Sequence, residues 1–201
     1  MVETSIWMQK VAADPGHSRW YIERFRAMAR AGDDLAGEAR FVDAMAPRAA
    51  RILDAGCGPG RVGGYLAEAG HHVVGVDVDP ALVAAAEQDH PGPRWLVGDL
   101  AELDLPARGI PEPFDIIVSA GNVMTFLAPS TRVRVLARLR SHLAHDGRAV
   151  IGFGAGRDYA FDQFLGDAAE GGFAADLLLS TWDIRPFAND SEFLVAILRP
   201  A

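Results

Sequence analysis

Short apolar runs recur through the middle of the chain, each closed by an acidic or glycine-containing turn, with stretches of helical periodicity between them. Arg51–Ala55, His72–Val76, Arg94–Val97, Phe114–Ser119 and Arg148–Phe153 read as strands buried on both faces, because they are continuously apolar rather than alternating. Between the first two, Arg61–Ala69 has helical spacing and stops at Gly70. Asp79 is placed to cap the next helix, which holds Pro80 in its first turn and runs to about Asp89. Residues 101–113 are proline-rich and predict a loop with at most one helical turn. Pro129–Leu143 predicts an amphipathic helix, with Val133, Leu136, Leu139 and Leu143 inward. Its Arg132, Arg134, Arg138 and Arg140 read most simply as a solvated face. Strand and helix in alternation predict an α/β fold with a mostly parallel sheet.

Both ends depart from that alternation. Residues 1 to about 17 predict an irregular or lightly helical arm. A helix over Arg19–Ala31 follows, with Ser18 as its cap and Tyr21, Ile22, Phe25, Met28 and Ala29 at helical spacing. Another runs from about Leu35 to Met45, turns Phe41, Val42 and Met45 inward, and ends before Pro47. The expected organisation is an N-terminal helical arm or lid (residues 1–46) packed on one globular unit (residues 47–201). Near the C-terminus, Asp158–Glu170 predicts a helix bearing Tyr159, Phe161, Phe164 and Leu165. Strands at about Leu177–Trp182 and Phe193–Leu198 then lie too close in sequence for a helical crossover, so they predict an antiparallel hairpin.

The length of 201 residues and 50% hydrophobic content suit one α/β domain. A net charge of -8 argues against a surface built for nucleic acid phosphates or anionic lipid, and favours a small-molecule partner. The lone Cys57 excludes an internal disulfide, and the N-terminal residues lack a secretory pattern, so the expected location is cytoplasmic. No run approaches the roughly 20 apolar residues of a membrane span. His142 and His145 sit at i, i+3 without a carboxylate or cysteine constellation, and His71-His72 adjoins a strand, so no metal site is expected. The sequence does not indicate an oligomeric state.

Candidate chemistry concentrates in Arg51–Gly64. Gly56, Gly58 and Gly60 join a buried strand to a helix N-terminus, letting the backbone turn sharply and approach a ligand. Asp77 closes the next strand about 20 residues on, the position of a carboxylate that accepts from ribose hydroxyls. In the register that begins at Gly56, the dinucleotide fingerprint GxGxxG is not met, because Arg61 stands where its third glycine belongs. Asp54, Asp77 and Asp99 could each merely cap a turn, yet three carboxylates after consecutive strands favour a nucleoside ligand. Cys57 reads as a small filler of the turn rather than a nucleophile. Two rivals keep the same fold: a nicotinamide-dependent oxidoreductase, which Asp54 and Arg61 disfavour, and a non-catalytic nucleoside-binding module.

Leu53-Asp54-Ala55-Gly56-Cys57-Gly58-Pro59-Gly60 resembles the first motif of class I S-adenosylmethionine-dependent methyltransferases. Asp77, Gly98-Asp99-Leu100 and Phe114-Asp115-Ile116-Ile117-Val118 resemble their later motifs in the same order, over about Arg51 to Arg199. The resemblance implies a Rossmann-like, doubly wound, seven-stranded sheet whose last strand is antiparallel. It implies S-adenosylmethionine as methyl donor, with Gly56, Gly58 and Gly60 flanking the methionine moiety and Asp77 on the ribose. Val78 would pack on adenine, Asp99 accept from the adenine amino group, Leu100 line its pocket, and Asp54 act on the methionine ammonium. An acidic Asp54 suits a ligand bearing an ammonium and a sulfonium and would repel a pyrophosphate.

The expected reaction is in-line displacement of a methyl group to oxygen or nitrogen of a small molecule, with no metal and no covalent nucleophile. Asn122 follows the fourth strand at the carboxyl edge, within reach of the donor's methionine end or of the acceptor. Ala120-Gly121-Asn122-Val123 stands where amino-methylating nucleic acid enzymes carry an Asn-Pro-Pro-Tyr type motif, which again favours a small acceptor. Tyr21, Phe25, Tyr159 and Trp182, with Asp183, are candidates for an acceptor pocket, the first two by folding over the site as a lid. No residue is identified as a general base.

Overall fold

In the computed structural model, which describes residues 2–201, the apolar runs become strands β1 (Arg51–Ala55), β2 (His72–Asp77), β3 (Arg94–Val97), β4 (Phe114–Ser119) and β5 (Leu143–Gly154). Strands β6 (Phe173–Leu179) and β7 (Phe193–Pro200) complete a seven-stranded sheet of order β3-β2-β1-β4-β5-β7-β6. β1 pairs in parallel with both β2 and β4, setting Leu53 beside Val74 and Ile117. β7 runs antiparallel between β5 and β6. The sheet is therefore doubly wound, and the strand order reverses at β1, so the turns after β1 and β4 diverge and leave a crevice at the carboxyl edge.

Among the described residues, eight helices surround the sheet: α1 (Ile6–Ala13), α2 (His17–Ala31), α3 (Gly37–Met45), α4 (Arg61–Glu68), α5 (Pro80–Asp89), α6 (Val123–Phe126), α7 (Arg132–His142) and α8 (Phe161–Glu170). Strand periodicity divides the apolar residues between two cores. Leu53, Val74, Ile117 and Ile151 face α7 and α8 through Leu136, Leu139 and Phe164. Ile52, Val73, Ile116 and Val150 face α3 and α4 through Val42, Val62 and Leu66. This two-sided burial is why the strands read as continuous apolar runs.

Several expected boundaries move. The arm is not irregular: Ser5 caps α1 by accepting from the Met8 amide. Ser18 is no cap but lies inside α2, buried, with its hydroxyl turned to Asp79. Residues 101–113 contain two 3-10 turns, Leu100–Glu102 preceding and overlapping them and Pro106–Arg108 within. Arg132 does not belong to a solvated face. It is 4% exposed, with its guanidinium 3.9 Å from the Tyr159 ring centre and donating to the Asp158 carbonyl at 2.8 Å, and Val135 rather than Val133 is fully buried. α8 begins only at Phe161, because Asp158 takes φ 56°, outside the helical region, and turns the chain so that Tyr159 enters the core. β6 starts and ends earlier than expected. Ala174-Ala175-Asp176 disguises its exposed start, and Trp182 lies beyond its end.

Candidate active site

The site is built from the turns at the carboxyl edge. After β1 the chain turns through Gly56 at φ 82°, and a β-carbon there would stand 2.4 Å from a Val123 methyl. Only glycine allows the β1 turn and α6 to approach this closely. Gly60, at φ 84°, meets a different demand: its absent side chain leaves room for Ala86 and Trp95, so α5 and β3 pack against the start of α4. Gly60 therefore supports the turn from behind and lines none of the site's recesses. Cys57 packs with Val83, Ala86 and Trp95, and burial pushes its thiol well above the ordinary range, as befits a filler.

Two carboxylates hold the turn in shape. Asp77, 8% exposed, accepts from the Gly58 amide at 2.8 Å and from the Asp79 amide at 3.0 Å. Asp54, 2% exposed, accepts from the Gly63 amide at 2.9 Å. Burial raises Asp54 to about 7, against the opposing pull of the Gly63 N–H and of Arg61. Burial likewise raises Asp77 to about 6, against the N–H groups of Asp79 and Gly58. Neither has a cationic hydrogen-bond partner among the described residues, so each is a buried acid poised for a positively charged or hydrogen-donating ligand.

Around these groups the structure forms three connected recesses. The inner cleft is lined by Gly56, Gly58, Asp77, Val78, Asp99 and Leu100 on the sheet side and by Ser5, Trp7, Tyr21 and Leu82 opposite. Asp99 uses one oxygen to accept from the Ala101 amide at 2.8 Å, leaving the other to a ligand. Asp54 opens instead on a small adjoining recess with Cys57, Tyr21 and Gly121. An outer cavity of about 460 Å³ lies beyond, with Trp7, Tyr21, Gly121 and Phe126 shared between it and the inner cleft.

The predicted residues thus divide. Asp77, Val78, Asp99, Leu100, Gly56 and Gly58 come together in the cleft, and Asp54 sits beside it. Asn122 does not line the cleft. It adopts φ 67°, accepts from the Gly154 amide at 2.8 Å, and borders the outer cavity. Tyr21 and Phe25 face that cavity. Tyr159 and Trp182 are corrections: neither lines any of these three recesses. The Tyr159 hydroxyl donates to Asp167 at 2.7 Å and its ring stacks on Phe153, 2% exposed. Trp182 fills the space over Gly152 and packs 5.8 Å from Phe41 on the other core. Asp183 bonds Thr181 and Arg185 within its own loop.

Sequence reasoning missed Trp7 and the wider part of Asp79. The Trp7 indole donates to Asp79 Oδ2 at 2.9 Å and the Ser18 hydroxyl to the same oxygen at 2.5 Å, while Asp79 Oδ1 caps α5 through the Ala81 amide. One carboxylate thereby ties α1, α2 and α5 together at the mouth of the cleft. Trp7 also meets Tyr21 and Phe126 edge-on at 5.1 and 5.4 Å, closing an aromatic collar between cleft and cavity. The signal was a tryptophan in an otherwise polar arm.

Fold and site define a class: the chain belongs to the class I S-adenosylmethionine-dependent methyltransferases. A family model described as a methyltransferase domain matches residues 52–147. The chain is similar to the solved TehB-like SAM-dependent methyltransferase from Corynebacterium glutamicum, 52% identical over 94% of this chain and 100% of that one, with a TM-score of 0.88. It also resembles the 18S rRNA (guanine-N(7))-methyltransferase of Mus musculus, 36% identical over 50% of this chain and 37% of that protein. The magnesium-protoporphyrin O-methyltransferase of Rhodobacter capsulatus is 34% identical over 58% of this chain and 47% of that protein. The chain thus spans less than half the length of these curated relatives. Among the described residues no group of three or more His, Cys, Asp or Glu is placed to hold a metal, and no helix is long and apolar enough to cross a membrane.

Proposed function

We propose that the inner cleft holds S-adenosylmethionine and that a small molecule accepts the methyl group, at oxygen or nitrogen, from the outer cavity. The observation that carries this reading is the aromatic collar of Trp7, Tyr21 and Phe126, where cleft and cavity meet. The donor supplies an electrophilic methyl group and a neutral thioether leaving group. The chain's own residues supply binding, alignment and exclusion of water. Asp77 accepts from the ribose hydroxyls, Val78 and Leu100 take the adenine face, and the free oxygen of Asp99 takes the adenine amino group. Gly56 and Gly58 border the methionine portion, with Asp54 next to its ammonium, and the donor's positive charge favours ionised Asp54.

Tyr21 stands at the junction of all three recesses. Its hydroxyl has no hydrogen-bond partner among the described residues, and burial raises its pKa above the ordinary value of 10.0. At neutral pH it is therefore a donor of a hydrogen bond to the acceptor and not a base. With α1 and α2 folded down, the cleft retains only about 80 Å³, below the roughly 300–1,000 Å³ of a ligand site. Within the N-terminal arm, α1 and α2 accordingly act as a lid whose release from Asp79 admits the donor, while α3 stays in the core through Ala39 and Val42. The 47–201 unit carries the rest of the donor site.

Calorimetric titration with S-adenosylhomocysteine, alongside hydrogen exchange across residues 5–21, tests this reading. Binding with slower exchange in α1 is the expected result. Binding that leaves exchange in α1 and α2 unchanged rejects the lid, and no binding at millimolar concentration rejects the cleft.

A further inference from the structure

The outer cavity has a charge unlike that of the chain as a whole. Its aromatic wall combines the collar with Trp20 and Phe25, and its carboxylates are already engaged. Glu38 takes both terminal nitrogens of Arg61 at 2.7 Å, and Asp34 takes those of Arg40 at 2.8 and 2.6 Å. Lys10, Arg24 and Arg157 also line the cavity, and none of the three forms an ion pair among the described residues. Arg24 instead lies along the wall, its guanidinium 5.8 Å from the Trp20 ring centre and 5.9 Å from that of Phe25. A protein of net charge -8 thus presents an aromatic-lined cavity fringed by cations that form no ion pair, next to its proposed methyl-transfer point.

We propose that the outer cavity selects acceptors that carry a carboxylate on a flat, aromatic body. This rests on the reading that the cavity is the acceptor side of the donor cleft. The ring packs among Trp20, Tyr21 and Phe25 by face and edge contacts, and the carboxylate lies toward Arg24, Arg157 and Lys10, which turns the opposite edge of the molecule toward the collar. Charge on the acceptor then sets its orientation as well as its affinity. Because the three cations are exposed, the preference is modest and screened by salt.

The test uses the full chain saturated with S-adenosylhomocysteine and titrated with 2-naphthoate or 2-naphthamide, which share a ring and differ in charge. In about 50 mM salt the carboxylate is expected to bind roughly three- to tenfold more tightly than the amide. That preference should vanish in 1 M NaCl, where the Debye length falls to about 3 Å. It should also vanish in an Arg24→Gln, Arg157→Gln double variant that still binds S-adenosylhomocysteine as the parent does. Equal or tighter binding of the amide, a preference that survives the double substitution, or no binding of either compound at millimolar concentration overturns the proposal. A failure of the donor reading shows itself separately, as absent S-adenosylhomocysteine binding in the loading step. The same naphthoate and naphthamide titrations on the unloaded chain then still decide the charge preference.

Discussion

The inner cleft and the outer cavity lie side by side, yet they are constructed differently. The cleft is written in consecutive strand ends: Asp54 lies next to the last residue of β1, Asp77 closes β2 and Asp99 follows β3, and the glycine turn lies between the first two. The cavity is gathered from segments far apart in the chain, from Trp7 and Lys10 through Tyr21, Arg24 and Phe25 to Phe126 and Arg157. The cleft is acidic and buried, and the cavity is aromatic and fringed with cations. A cationic donor and an anionic acceptor would each meet the charge that suits it, and Tyr21 stands between. On the proposed reading, donor binding would rest mainly on the strand ends, whereas acceptor choice would rest mainly on the arm packed over them.

That division can be broken most forcefully at Trp7. Trp7→Ala removes a side chain packed on Ile22 and Leu82 and strips Asp79 of one donor, so stability should fall by about 3 kcal/mol in urea denaturation. Residual stability equal to the parent's would mean that the arm contributes little to the fold. Asp77→Ala acts on the sheet side alone. It should weaken S-adenosylhomocysteine binding by about 2 kcal/mol, roughly thirtyfold, by calorimetry, while leaving naphthoate binding to the cavity unchanged. Parallel loss of both affinities would erase the distinction between the two regions.

A pH scan sharpens the same boundary. Asp54 and Asp77 have folded values of about 7 and about 6, above the ordinary carboxylate value of 3.8. The folded state therefore holds more protons than the unfolded state between about pH 4 and 7. Their contribution to stability is present below the ordinary value and lost as pH rises through the folded values. The donor-free protein should be less stable at pH 8 than at pH 5 by on the order of 4 kcal/mol, read from urea midpoints. A flat profile in the parent, or a slope that survives in the Asp54→Asn, Asp77→Asn double variant, would remove the electrostatic basis assigned to the cleft. The smallest effect is expected at a residue that sequence reasoning sent to the wrong region. Tyr159→Phe should cost about 1 kcal/mol of stability through its bond to Asp167 and change neither donor nor naphthoate binding.

What was legible follows the same line. The βα alternation, the glycine turn and the three carboxylates were readable because each depends on neighbours within one strand and one turn. The terminal hairpin was readable from the shortness of Asp183–Ser191, although the first strand of it was misplaced because Ala174-Ala175-Asp176 lies on an exposed sheet edge where the apolar pattern fails. Tyr159 and Trp182 were misassigned because an aromatic side chain carries the same signal whether it lines a pocket or fills a core. A single φ of 56° at Asp158 sends Tyr159 inward, and no pattern in the sequence announces it. Arg132 misled for a related reason: three neighbouring arginines on α7 reach solvent, while it lies under Tyr159. Asp79 was legible as a cap from the proline after it, but its second oxygen serves Trp7 and Ser18, two residues more than 60 positions away.

The central claim is that the two buried acids of the cleft await a cationic donor. The most direct measurement is calorimetric titration of S-adenosylmethionine at pH 6.5, in two buffers of different ionisation enthalpy, which reports protons exchanged on binding. The account predicts submillimolar binding with net proton release, as Asp54 and Asp77 ionise around the donor. Binding without proton release, or no binding at all, would contradict it.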